Sequence, residues 1–373
     1  MIPILIALDG CKKDKGILSN DKVFKVALFK SNLQSQLTGA LGYAFVINEN
    51  GQWADTTSFG IGGVSATGGG IFPASVLYDI NIASVTKPLT CIAAIKLMEL
   101  KGIDIDDQIG VWLPSYWVKS TDANTTTFRQ LLTHTSGIQE SSTSWDSLKA
   151  TVSGSFGPKT FFYANANFAL FRALLPKIND LNGFNAAETN STAFETWMSY
   201  QYINLMQGLV FTPAGLSNII CDVDPGNTTM QMMNELNNPP LIPISTGDWT
   251  EISGGGGYYL TTMEMAQIMA YLAHTNDVLT TAQKSLMDNN VLGWDPNDSF
   301  TSSHGKVFGK DGALFTDNNG DNVMSAGDSG LQTWVGKFPN GVELALSITS
   351  RASGSRNLSN IVSIAYEAAW VDE

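Results

Sequence analysis

The chain has 373 residues, 43% apolar and 15% charged, with 21 Lys and Arg against 34 Asp and Glu for a formal net charge of −13. That length supplies a sizeable core without staples, no apolar run reaches the ~18 residues of a membrane span, and so acidic a surface repels a phosphate backbone, which argues against nucleic acid as a partner. Cys11, Cys91 and Cys221 are too few and too scattered for a disulfide framework or a zinc cage.

The chain opens on a short apolar stretch that closes at Cys11 and is followed by Lys12, Lys13, Asp14 and Lys15. This is similar to a bacterial lipoprotein leader, although Asp9 stands in the cleavage region and no basic residue precedes the apolar run. It implies an exported protein, periplasmic or lipid-anchored through Cys11, with residues 1–20 as leader and linker and 21–373 as the folded part. From Asp21 to about Leu37 apolar residues recur near helical spacing, which predicts an amphipathic helix. Leu41 to Ile47 is rich in strand formers and breaks at Asn50-Gly51, a dipeptide suited to a two-residue hairpin because both positions tolerate positive φ.

Near the other end, Leu331 to Phe338 and Val342 to Thr349 flank Pro339-Asn340-Gly341, and a last helix is predicted from about Leu358 to Trp370. Between the ends the chain reads as helices and long loops, with Gly254 to Gly257 as the plainest break. The expected fold class is α/β (α+β): an antiparallel sheet from both termini, about 21–100 and 300–373, flanked by helices, with a mostly helical lobe inserted at about 101–299.

Residues 82–102 hold the first chemistry: Ser84 and Lys87 lie one helical turn apart, ahead of a run from Cys91 to Ile95 that is apolar on every side and stops at Gly102. Pro88 is tolerated only near a helix start, so the N-terminus lies close to Ser84. A serine there sits among free N–H groups that stabilise negative charge on a bound carbonyl, and a neutral or charge-relayed Lys87 can take its proton. Ser-x-x-Lys also occurs at Ser19 to Lys22 and Ser303 to Lys306, but only the Ser84 copy heads a buried helix. On its own the spacing points to a structural helix N-cap more than to a nucleophile.

Three more segments follow in order: Leu131 to Gly137 with His134, then Tyr163-Ala164-Asn165, then Gly309-Lys310-Asp311-Gly312-Ala313. With Ser84 to Lys87 they resemble the serine β-lactamase and penicillin-binding superfamily, in its class C-like branch, which includes class VIII esterases, D-aminopeptidases and D-Ala-D-Ala carboxypeptidases. The resemblance runs from about Gly42 to Ser350. It implies a serine hydrolase acting through a Ser84 acyl-enzyme on a small ester, amide or peptide, with no cofactor for the catalysis. The alternatives are a carboxypeptidase, a β-lactamase, or a penicillin- or peptide-sensing domain that does not turn over.

It also implies roles. Tyr163, between Lys87 and Lys310, would have its phenol pKa lowered by two ammonium groups and act as general base. Asn165 would hold Lys87 and reach the substrate carbonyl, and the N–H groups of Ser84 and Ala313 would form an oxyanion hole beside Gly312. His134 is expected to be scaffold, and Tyr202, in a second Tyr-x-Asn, to be core. Asp311 replaces the hydroxyl residue of the resembling β-lactamases. Its carboxylate would repel a substrate carboxylate, which points to esters or amides without one.

After Ala313 the chain inserts a loop similar to an EF-hand or dockerin calcium site. Asp317, Asn319, Asp321, the Val323 carbonyl, Ser325 and Asp328 offer hard oxygens at the loop spacing, for a structural Ca²⁺.

Overall fold

A computed structural model describes residues 22–65, 70–223, 228–234, 246–316, 328–350 and 357–372. Among the described residues, seven strands form the main sheet: β1 (Gly42–Glu49), β2 (Gln52–Val64), β3 (Ile71–Pro73), β4 (Phe300–Ser302), β5 (Gly305–Thr316), β6 (Ser329–Lys337) and β7 (Val342–Ile348). Their order is β3-β2-β1-β7-β6-β5-β4, antiparallel throughout, so the two ends of the chain meet at the β1–β7 pair, with Ile47 opposite Leu344 and Phe45 opposite Leu346. The hairpin between β1 and β2 turns on Asn50 (φ 53°) and Gly51 (φ 74°), as its dipeptide requires.

Six helices matter for the site: α1 (Val26–Gln36), α2 (Thr86–Lys101), α3 (Phe171–Asn179), α4 (Thr192–Met206), α5 (Thr262–His274) and α6 (Leu358–Glu367). Strand alternation divides the sheet into two apolar faces. Phe45, Ile47, Leu344 and Leu346 pack with Phe29 and Leu33 of α1 and Ile361 and Val362 of α6. Val46, Val335 and Ala345 face the larger core built by α2 to α5. Each such side chain taken from water contributes ~1.5–3 kcal/mol.

The central helix α2 is buried without a break from Thr86 to Ile95, Pro88 falls in its first turn, and Gly102 (φ 67°) ends it. Two boundaries differ from the sequence reading. Helix α1 starts at Val26, because Val23–Phe24 pairs antiparallel with Trp370–Val371, and the same pairing ends α6 at Glu367. Aromatic contact between Phe24 and Trp370, 5.3 Å between ring centres, favours this ladder over a further helical turn at each end.

Among the described residues no helix is long and apolar enough to cross a membrane. Cys11 and the loop positions Asp317, Asn319, Asp321, Val323 and Ser325 lie outside the described residues; Asp328 is buried beside β6.

Candidate active site

A short antiparallel ladder outside the main sheet, Asp79–Asn81 against Tyr259–Thr261, brings the chain to the head of α2. There Ala83 takes φ 47°, a conformation that costs a non-glycine residue of order 1–3 kcal/mol. It is clamped on both sides: Ala83 N–H donates to Asn81 Oδ1 at 2.9 Å, and Thr333 Oγ1 donates to the Ile82 carbonyl at 2.7 Å. The sharp bend puts Ser84 in a 3₁₀ turn, Ala83–Val85, immediately before α2, with its side chain half-buried and reachable from solvent.

Lys87 lies beneath it, fully buried. Its Nζ is 2.9 Å from Ser84 Oγ, 2.8 Å from Asn165 Oδ1 and 2.6 Å from the Gly255 carbonyl. Burial, and next the charge of Lys310, pushes the Lys87 amine well below the ordinary lysine range. A neutral amine has two N–H donors and one lone pair. Asn165 Oδ1 and the Gly255 oxygen can only accept, so in the neutral form they would take both donors and the lone pair would face Ser84 Oγ.

Tyr163 Oη donates to Ser84 Oγ at 2.7 Å, and its ring centre is 4.8 Å from Lys87 Nζ and 5.2 Å from Lys310 Nζ. The expected lowering of the phenol pKa is not found. Burial raises it to about 12, outweighing the opposing pull of Lys310 and of the Ser84 hydrogen bond. In this arrangement the phenol donates to Ser84 Oγ, and the Lys87 amine is the other group within reach of that hydroxyl.

His134 packs its ring against Tyr163, 4.6 Å between centres, and its Nδ1 accepts from Ala164 N–H at 3.3 Å. Burial, then the charges of Lys87 and Lys310, lowers its pKa to about 2, so it is a neutral prop for the tyrosine. Tyr202 instead shares a hydrogen bond with Thr90 Oγ1 at 2.8 Å inside the core. Ser303 donates to Glu367 at a hairpin turn, Cys91 is buried with its thiol pKa raised well above normal by that burial, and Ser19 lies outside the described residues.

Strand β5 closes the other side. Gly312 lies so close to the nucleophile turn that a methyl group there would come within 2.5 Å of the Ile82 carbonyl and of Thr333 Oγ1, and 2.9 Å of Ser84 N. Its role is this close approach of strand to turn. Ala313, next along, is exposed.

Lys310 is buried, and its amine meets three carboxylates: Asp298 and Asp311 at 2.8 Å each, Asp295 at 3.5 Å. Burial alone would lower the amine, but Tyr163 and these three carboxylates together hold it well above its ordinary value. Asp311 is thus an ion-pair partner of Lys310, which holds its carboxyl below the usual range against the effect of burial, and not the bare repelling group expected.

Four contributors escaped the sequence reading: Asp295, Asp298, Thr333 and the Gly255 carbonyl. The acids in Trp294-Asp-Pro-Asn-Asp298 gave a faint signal as counter-ions for the Lys310 strand. The glycine run Gly254–Gly257 was visible only as a break. In the fold it lets backbone lie against the Asn165 helix and Lys87, since a methyl at Gly255 would approach the Asn165 carbonyl to 3.2 Å. Among the described residues no group of three or more His, Cys, Asp or Glu is placed to hold a metal ion.

Comparison with known proteins identifies the family and the fold. Penicillin-binding protein 4* of Bacillus subtilis (strain 168) is 26% identical over 156 residues, which is 37% of this chain and 29% of that protein, so the match spans less than a third of the relative's length. Among solved structures, a beta-lactamase/D-alanine carboxypeptidase from Yersinia pestis, complexed with citrate, superposes with a TM-score of 0.63 at 17% identity, covering 92% of this chain and 98% of that one. EstCE1, described as a hydrolase with promiscuous acyltransferase activity, gives 0.62 at 14% identity, covering 92% and 98%. These structures share the fold, a large antiparallel sheet with a helical insertion. The family model described as Beta-lactamase matches residues 29–341, a span that contains Ser84, Lys87, Tyr163, Asn165 and Lys310, and the chain belongs to that family.

Proposed function

We propose that the protein is a serine hydrolase that opens small esters or amides through an acyl-enzyme on Ser84. The observation that carries this is the double hold on one reachable hydroxyl, with Tyr163 Oη at 2.7 Å and Lys87 Nζ at 2.9 Å. Ser84 Oγ attacks the carbonyl as its proton passes to the Lys87 lone pair. The N–H groups of Ser84 and Ala313 stabilise the oxyanion, and the Asn165 amide steadies the carbonyl side of the substrate. The Tyr163 phenol gives its proton to the departing alcohol or amine and regains one from Lys87. Water then enters along the same path, and the acyl group leaves as an acid.

The family supports hydrolysis, and the similar structures include a D-alanine carboxypeptidase and an acyl-transferring hydrolase. The Asp311–Lys310 ion pair favours substrates without a free carboxylate over β-lactams and D-Ala-D-Ala peptides, the second reading that the shared Ser84, Lys87 and Tyr163 support. Incubation with a chromogenic aryl ester and a fluorescent penicillin, followed by intact mass, is expected to show steady ester turnover that Ser84→Ala abolishes. A stable adduct without turnover would indicate a sensing domain instead. Equal efficiency on a cephalosporin would remove the substrate preference.

Two further parts of the reading stand on sequence alone. A calcium ion held by Asp317, Asn319, Asp321, Val323, Ser325 and Asp328 would stiffen the connection between β5 and β6, and chelation should then lower the melting temperature. A lipid on Cys11 would appear as a mass increment on the membrane fraction of an exporting host.

A further inference from the structure

Three carboxylates converge on the single ammonium of Lys310. That amine has three N–H donors, and Asp298, Asp311 and Asp295 lie at 2.8, 2.8 and 3.5 Å from it. Asp298 and Asp311 take two of those donors as hydrogen bonds and Asp295 stands within ion-pair distance, so an anion arriving in the cleft meets an ammonium already engaged by carboxylates. The Asp295 and Asp298 side chains are each only 7% exposed, whereas the Asp311 side chain keeps 31% of its surface open, so Asp311 is the member of the trio that a substrate meets.

Carboxylates outnumber the ammonium group three to one around Lys310. Burial raises Asp298 to about 7, against the pull of Lys310, so it holds a proton for part of the population at neutral pH. Burial pushes the Lys87 amine well below its ordinary value. Three carboxylates thus share the one Lys310 ammonium, and the member of the cluster open to solvent is Asp311. The nucleophile is close: Lys310 Nζ, bonded to Asp311, is 5.2 Å from the centre of the Tyr163 ring whose hydroxyl touches Ser84 Oγ.

We propose that Asp311 determines specificity, filling with its own carboxylate the place on Lys310 that an anionic substrate group needs and selecting esters or amides that carry an ammonium group near the scissile carbonyl. This rests on the hydrolase reading above and names its substrate class. At low effective dielectric, one unit charge of either sign on the substrate changes binding in opposite directions, which separates cationic from anionic members of a matched series.

The test uses three small methyl esters, methyl β-alaninate, methyl propionate and monomethyl malonate, followed by proton release at neutral pH. The expected order of kcat/KM is ammonium, then neutral, then carboxylate, with about a tenfold or larger ratio between the ends, shrinking as salt is added. In Asp311→Asn the ammonium-to-carboxylate ratio should fall toward one, whatever happens to the absolute rates. A wild-type ratio at or below one, or a ratio unchanged in Asp311→Asn, overturns the proposal while leaving hydrolysis intact. Failure of all three esters and of the aryl ester to acylate Ser84 would overturn the hydrolase reading, and this one with it.

Discussion

Two side chains of this site are tuned in opposite directions by one cause. Burial disfavours whichever form is charged, so it lowers the Lys87 amine and raises the Tyr163 phenol. At neutral pH the phenol keeps its proton on one side of Ser84 Oγ, and on the other the amine holds its own less firmly than an ordinary lysine. Activity should therefore rise with pH through an acid limb that belongs to Lys87, and the phenol should impose no alkaline limb until about pH 12. Lys87→Ala is expected to reduce kcat/KM by roughly 10²–10⁴-fold. Tyr163→Phe should reduce the rate while leaving the acid limb in place; if the limb moves with Tyr163, the base has been misassigned. His134 makes a separate prediction. Its folded pKa of about 2 lies below the ordinary 6.5, so the neutral ring favours the fold above 6.5, and that advantage drains as pH falls toward 2. Thermodynamic stability should drop by ~1.4 kcal/mol for each pH unit below about 6 from this group, and His134→Asn should flatten that slope in urea titrations.

At the scale of elements, the site is a close approach of one strand to one turn. Sheet pairing fixes β5 through Lys310 opposite Val335 and Gly312 opposite Thr333, and Thr333 in turn bonds the Ile82 carbonyl beside Ser84. Gly312→Ala should cost ~1–3 kcal/mol, because the added methyl meets backbone and a held hydroxyl with no flexible atom to yield. It should also lower kcat by pushing the turn off the strand, and a melting curve with steady-state kinetics reads both effects. The hairpin at Asn50-Gly51 and the helix between Pro88 and Gly102 were legible beforehand because each rests on local rules, allowed φ and missing N–H donors. The Ala83 bend was not, since the Asn81 hydrogen bond two residues back holds its positive φ only where the Tyr259–Thr261 ladder and Thr333, partners far away along the chain, fix the turn.

Across the whole molecule, the last helix is tied to the chemistry. Ser359 of α6 donates to Asp298 Oδ1 at 3.2 Å and accepts from Trp334 Nε1 at 3.1 Å, while Asp298 Oδ2 holds Lys310. Ending the chain at Ser350 would strip α6 from Phe45, Leu344 and Leu346 and leave Asp298 without this partner. The expected result is loss of cooperative thermal unfolding and of ester turnover together, measured by calorimetry and by rate. The sequence by itself determined the hydroxyl, amine and phenol, their order, and a sheet closed by both termini, because side-chain chemistry and the two- and 3.6-residue periods are local properties. Protonation states, the counter-ions of Lys310 and the acceptor at Gly255 were decided by tertiary structure alone, since each depends on how much water is excluded and on which distant backbone or carboxylate is folded into reach.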